Sequence, residues 1–260
     1  MEMDTVAPAL VATGVVAGAA AIIQAIFGAI RKGGPKLGLA VVETALLSLL
    51  GGLLALGFLV SMLSLLGTSG TYTVLLGWAF LFWFGIIDTF AAMVGERSVT
   101  EPVVLLAGVA TVGALVGACD GVGRVHNWKG LGWLSFPLDV TWGLAATTNG
   151  LLFHLVNFAW ANRQADGRTG AHRYRSGFRF KGGFAMTQGS VMSNMDGSGP
   201  GSGLFRHENT HVWQNRIFGP LFVLTYLGWM VVMFLPALIA GLASKRAGVG
   251  QAHHGHLLLQ

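Results

Sequence analysis

Six long apolar runs constrain this chain more than any other feature. They span Ala7–Ile30, Leu37–Leu66, Val74–Val94, Pro102–Ala118, Pro137–Ala161 and Leu221–Ala243. A helix needs about 20 residues, with a range from about 17, to cross the hydrocarbon core of a bilayer. Charged residues make up 10% of the chain and hydrophobic ones 53%, whereas soluble domains carry about 25% charge. The expected fold is an all-α polytopic membrane protein with about six transmembrane helices. The thirty-nine glycines suit that class, because small residues let membrane helices approach closely. Gly14-x-x-x-Gly18 and Gly113-x-x-x-Gly117 have the spacing of such contacts.

The net charge of +5 does not point to nucleic acid, since the basic residues sit mostly in loops between apolar runs, where they orient a membrane protein. A single cysteine, Cys119, excludes an internal disulfide. Met1-Glu2-Met3-Asp4 is acidic where a cleavable signal peptide would be basic, so none is expected there.

The runs divide the chain into four parts: a five-helix transmembrane region over 1–162, a basic segment over 163–206, a motif helix with a final transmembrane helix over 207–246, and a tail over 247–260. The segment from Arg163 to Arg206 carries seven Lys and Arg residues and no run that could span. Within it, Phe178-Arg179-Phe180-Lys181 and Phe184-Ala185-Met186-Thr187 flank Gly182-Gly183. That pattern predicts a small β-hairpin inserted before the motif helix. Six crossings with the first loop cytoplasmic put eleven Lys and Arg residues inside and four outside (Arg124, Lys129, Lys245 and Arg246), leaving aside Arg216. The positive-inside rule favours that orientation in a bacterial-type plasma membrane, with both termini outside.

Inside the last part lies His207-Glu208-Asn209-Thr210-His211, an H-E-x-x-H pattern. On a helix it sets two imidazoles one turn apart on one face, able to reach one metal ion, with Glu208 leaning towards a metal-bound water. Zinc lowers the pKa of such a water to about 7, and Glu208 would be the base that takes its proton. A catalytic zinc takes three protein ligands. His154, Glu43 and Asp88 are the candidates for the third, because counting along their helices puts all three roughly 9 to 12 Å deep from the inner face. Each also has an ordinary reading, as a group bonded to a carbonyl or paired with a neighbour. Tyr226 could donate to an oxyanion, and Gln214, one turn past His211, could support that imidazole from behind. His253, His254 and His256 form a tail cluster with no expected catalytic part.

The motif, with Trp213-Gln214 and Gly219-Pro220 after it, resembles the active-site helix of the zincin class of zinc metallopeptidases. In its apolar setting it is similar to the membrane-embedded members, the site-2 proteases and the CAAX-type prenyl endopeptidases. The resemblance covers about Ser176 to Tyr226. It implies a zinc-dependent hydrolase in which a strand before the motif pairs with an extended substrate. Those families place an acidic ligand after the motif, whereas this chain has no Asp or Glu beyond Glu208. Two further readings stand beside the peptidase. One is a metal-dependent membrane enzyme, with iron as the possible metal, acting on a lipid or lipophilic small molecule. The other is a non-enzymatic transporter or assembly factor in which Glu43, Asp88 and His154 form a polar path. In each case the lipid bilayer is a partner and nucleic acid is not.

Overall fold

Long stretches of Leu, Ala and Val with at most one acidic residue inside them favour helix once the backbone's polar groups must be satisfied internally. Three of them become α1 (Met3–Ile30), α2 (Leu37–Leu66) and α5 (Pro102–Gly123), and these are long and apolar enough to cross a membrane. The computed structural model describes residues 3–30, 36–67, 69–95, 101–159, 168–177 and 184–246. Pro102 opens α5 at a position where its missing N–H is harmless. Between α2 and α5 lie α3 (Gly70–Phe80) and α4 (Phe82–Met93). After α5 come α6 (Gly132–Val140) and α7 (Leu144–Ala159), then three short strands, β1 (His172–Arg173), β2 (Met186–Gln188) and β3 (Val191–Ser193). The chain closes with α8 (Gly203–Phe218) and α9 (Phe222–Arg246).

The α2–α5 seam is built on absent side chains. A Cβ on Gly117 would collide with the Leu47 carbonyl, and one on Gly121 would lie 2.5 Å from Thr44 Cα. Gly51 and Gly113 face each other's backbones in the same way. Ser48 adds an interhelical hydrogen bond of 2.9 Å to the Ala114 carbonyl. The Gly113-x-x-x-Gly117 spacing therefore marks a real contact. A Cβ on Gly14 or Gly18 would meet nothing within 4 Å among the described residues. Leu47, Leu59, Leu63, Leu106, Val109 and Phe80 fill the core beside the seam, while Val11, Val15, Ile22, Leu39, Leu46 and Leu50 point outward. An apolar exterior of this kind is what lipid, rather than water, solvates.

The expectation of six crossings is not met among the described residues. The run over 74–94 breaks at Leu81, and Gly85 lies against the Trp78 backbone, so α4 turns sharply from α3. The run over 137–161 is preceded by its own start at Gly132 and interrupted at 141–143, leaving helices of 9 and 16 residues. An ion pair shows the consequence. Arg124 and Arg168 both reach the Glu43 carboxylate, at 3.3 and 3.1 Å. The six-crossing arrangement puts those arginines on opposite faces of the bilayer, so α6 and α7 make no complete crossing between them. Arg124 belongs on the same side as the start of α2, not on the far side as expected from the sequence.

The small sheet has the order β1-β3-β2, with β1 parallel and β2 antiparallel to β3. The hairpin before the motif helix exists, but its described turn is Gly189-Ser190, with Gly189 at φ +56° in the first turn position, where a type II′ turn favours glycine. Gly182-Gly183 lie outside the described residues, as does the tail histidine cluster. Met192, Met195, Phe205 and Val212 form a second small core that joins the sheet to α8. The chain divides after Pro220 into two compact units, and α9 belongs to the second.

Candidate metal centre

Ser202 caps α8, accepting a hydrogen bond of 3.0 Å from the Phe205 backbone N–H. The H-E-x-x-H residues follow within the next two turns, so their spacing is fixed by regular helix. His207 and His211 project from one face, with Nε2 atoms 3.3 Å apart. Two nitrogens bound to one tetrahedral zinc at about 2.0–2.1 Å stand about 3.4 Å from each other. The pair therefore fits two positions on such an ion. His211 Nδ1 lies 2.9 Å from Gln214 Oε1, to which it donates, and that contact orients the ring and leaves Nε2 as the metal-facing nitrogen. Asn215 donates to the His211 carbonyl at 2.8 Å, tightening the same turn.

Glu208 is buried beside the sheet. Thr187, the central residue of β2, donates its hydroxyl to Glu208 Oε2 at 2.5 Å. Thr187 pairs with the buried Met192 across the hairpin, and cross-strand partners share a face. The register of β2 thus turns Thr187 towards α8. Because β2 lies at the end of the order β1-β3-β2, its outer edge has no strand partner among the described residues.

The three expected third ligands stand elsewhere. Among the described residues, no group of three His, Cys, Asp or Glu ligand atoms includes His207 or His211. Glu43 is taken up by Arg124 and Arg168. Asp88 is buried on α4. His154 Nδ1 accepts from the Tyr174 hydroxyl at 2.8 Å, and its ring stands edge-on to His172 with centroids 4.2 Å apart. Burial, reinforced by the neighbouring Cys119, pushes the Tyr174 phenol up to about 12, so it keeps its proton as that donor. With Nδ1 so engaged, His154 joins no ligand group with His207 or His211 among the described residues. Tyr226 lies on α9 in the second unit, and its side chain is outside the described residues.

A second polar cluster was not anticipated from the sequence. Asp120, at the end of α5, has one carboxylate oxygen 2.7 Å from His126 Nε2 and the other 2.7 Å from His172 Nε2. Asp139 of α6 receives Arg216 of α8 bidentately, at 2.8 and 2.7 Å. Ligand atoms of Asp120, His126 and Asp139 all fall within 4.8 Å of one another and could hold a metal. The contact lengths favour another role, since 2.7 Å is a charge-assisted hydrogen bond and is shorter than a ligand–ligand separation around zinc. Ser135 donates to the Gly132 carbonyl at 2.8 Å, so at its 2.9 Å contact with His126 Nδ1 it accepts. His126 is thus held between Ser135 and Asp120, as Arg216 is held by Asp139. The cluster ties α5, α6, β1 and α8 together. Its signal in the sequence was thin, because His172 and Arg216 lie 52 and 77 positions from their partners.

Comparison with models of protein families, with curated proteins and with solved structures gives no match.

Proposed function

We propose that the protein is an integral membrane zinc-dependent hydrolase of the metallopeptidase type, cleaving a peptide bond at or near the cytoplasmic face. The observation that carries this reading is the convergence of His207 and His211 at 3.3 Å on the helix that also bears Glu208. His207 and His211 would supply two of the three protein ligands a catalytic zinc takes, with Gln214 fixing the second imidazole, and no third stands beside them among the described residues. When bound, zinc supplies Lewis acidity, lowering the pKa of a coordinated water to about 7 and polarising a carbonyl. Glu208 takes the proton of the attacking water and passes it to the leaving amine, the usual work of a positioned carboxylate.

The edge of β2 that lacks a strand partner among the described residues, next to Glu208, supports a peptide over a lipid. An extended backbone can add to that edge and bring its carbonyl towards α8, whereas a lipid has no use for a row of backbone donors and acceptors. Glu43's two arginines support the orientation. They gather Lys36 and the start of α2, the end of α5 and Arg168 of the basic segment on one side, and a basic side is cytoplasmic. The reading has α1, α2 and α5 as the crossing helices.

The test uses full-length protein in liposomes with a fluorescence-quenched peptide bearing a membrane segment. Glu208→Gln is expected to retain zinc and lose turnover. Retained turnover in Glu208→Gln would overturn the hydrolytic reading.

A further inference from the structure

A crossing helix delivers the residue after its apolar stretch to headgroup depth. Arg124 takes that place after α5, in the left-handed conformation (φ +49°) that glycine usually fills at a helix end. Its level is tied to α2, because Gly121 packs against the Thr44 backbone, next to Glu43. Arg124 Nε donates to Glu43 Oε2 at 3.3 Å, and Arg168 Nη2 donates to the same oxygen at 3.1 Å. One carboxylate thus holds two guanidiniums side by side and cancels only one of their charges. The Nη groups of Arg124 have no partner among the described residues, and the side chain is 46% exposed. Lys129, exposed on the loop that follows, adds a third cation. An apolar step adjoins these charges. Arg168 Nη1 donates to the His126 carbonyl at 3.3 Å, the His126 ring packs on Trp128 with centroids 5.4 Å apart, and Trp128 packs on Trp133 at 5.2 Å. Trp133 is 61% exposed on α6, with Leu131 and Leu134 exposed on either side of it in the chain. Exposed aromatic groups beside cations are what a membrane interface accommodates.

We propose that Arg124 and Arg168, flanked by Trp133, form a binding site for an anionic phospholipid of the inner leaflet. The phosphodiester accepts from the exposed guanidinium edges, whose planar N–H groups match two phosphate oxygens at once. The acyl chains run along the Trp133 side. Glu43 holds the guanidiniums in place before the lipid arrives, so less side-chain freedom is lost on binding. A free phosphate would meet the same cations and leave the apolar step unused, which commits the site to a lipid. Anionic lipids charge the cytoplasmic leaflet, and basic pockets between helices on that side hold their headgroups. The site rests on the membrane reading of α2 and α5, and it is independent of any metal on α8.

The test titrates full-length protein in detergent micelles with dioleoylphosphatidylglycerol or dioleoylphosphatidylcholine and counts bound lipid by native mass spectrometry. Wild type is expected to bind the anionic lipid at least about tenfold more tightly, since each cation contributes about fivefold at a membrane surface. Arg124→Gln/Arg168→Gln should bind the two lipids within about threefold of each other. Arg175→Gln/Arg206→Gln, which removes two exposed arginines elsewhere in the chain, should keep the wild-type preference. Trp133→Ala should weaken both lipids to a similar extent and keep the preference. Inorganic phosphate, at constant ionic strength, should not displace the anionic lipid. Equal affinity for the two lipids in wild type, or the full preference surviving in Arg124→Gln/Arg168→Gln, overturns the proposal. So does displacement by inorganic phosphate, which would show a small-anion site, or loss of the preference in Arg175→Gln/Arg206→Gln, which would show a diffuse charge effect. Should Arg124→Gln/Arg168→Gln lose both lipids, as a misfolded protein would, the single variant Arg124→Gln decides. A preference reduced about fivefold there supports the site, and an unreduced one overturns it.

Discussion

Replacing Arg216 with Met would leave the Asp139 carboxylate buried without its cation. Both side chains are 2% exposed and meet through two hydrogen bonds of 2.8 and 2.7 Å, so bulk water screens the pair little. Two unit charges about 4 Å apart at an effective dielectric near 20 attract by about 4 kcal/mol. Measured losses on breaking one side of a buried pair run about 3–5 kcal/mol. Arg216→Met is therefore expected to lose about 3–5 kcal/mol of unfolding free energy. The double variant Asp139→Leu/Arg216→Met, which leaves no stranded charge, should recover most of it. The assay is reversible urea unfolding in detergent micelles, followed by tryptophan fluorescence and analysed as a double-mutant cycle. The cycle also removes the separate contribution of Arg216 lying 4.9 Å over the Trp213 ring. A single variant within about 1 kcal/mol of wild type, or a double variant no more stable than the single, would refute the claim that this pair anchors α8 to α6.

Other expectations follow from the same geometry. Gly117→Val puts a branched side chain against the Leu47 backbone and should destabilise by at least the roughly 1–3 kcal/mol of an overpacked core, whereas Gly14→Ala should be nearly silent in the same unfolding assay. Glu43→Gln should change stability by less than about 1 kcal/mol, because its partners Arg124 and Arg168 are 46% and 37% exposed. Tyr174, raised from 10.0 to about 12 by burial, favours the native state while neutral. That contribution is complete below about pH 10 and is lost as pH climbs towards 12. Absorbance at the tyrosinate band should show one late-titrating phenol that Tyr174→Phe removes. His211→Ala should abolish zinc binding, and His154→Ala should leave it intact, in a chelator competition.

Part of this architecture could be read directly from residues. The α1, α2 and α5 helices announce themselves through long apolar runs, and the α2–α5 seam through Gly113-x-x-x-Gly117. The motif helix, its two convergent imidazoles and the support from Gln214 all follow from helical spacing, which is local and therefore visible in one dimension. Hydropathy failed where composition stays apolar through a change of direction. Leu81 and 141–143 break their runs without a charge to mark the turn, so two short helices looked like one long one. Depth counting along those imagined spans then grouped Glu43, Asp88 and His154. In the fold, Glu43 answers two arginines, and His154 answers Tyr174. The Asp120–His126–His172 and Asp139–Arg216 contacts depend on residues far apart in sequence, and no pattern of spacing records them. The hairpin was foreseen as a class of element. Its described turn falls at Gly189-Ser190, where Gly189 takes a positive φ and packs against the Ala146 carbonyl at a place no Cβ could occupy.

The central claim is that His207 and His211 share a metal ion. X-ray absorption at the zinc edge of the purified, zinc-loaded protein tests it most directly. One zinc per chain with at least two imidazole nitrogens at about 2.0–2.1 Å is expected, with loss of that signal in His207→Ala and His211→Ala. A protein without bound zinc, or a zinc signal that survives both substitutions and disappears instead with Asp120→Asn, would contradict it.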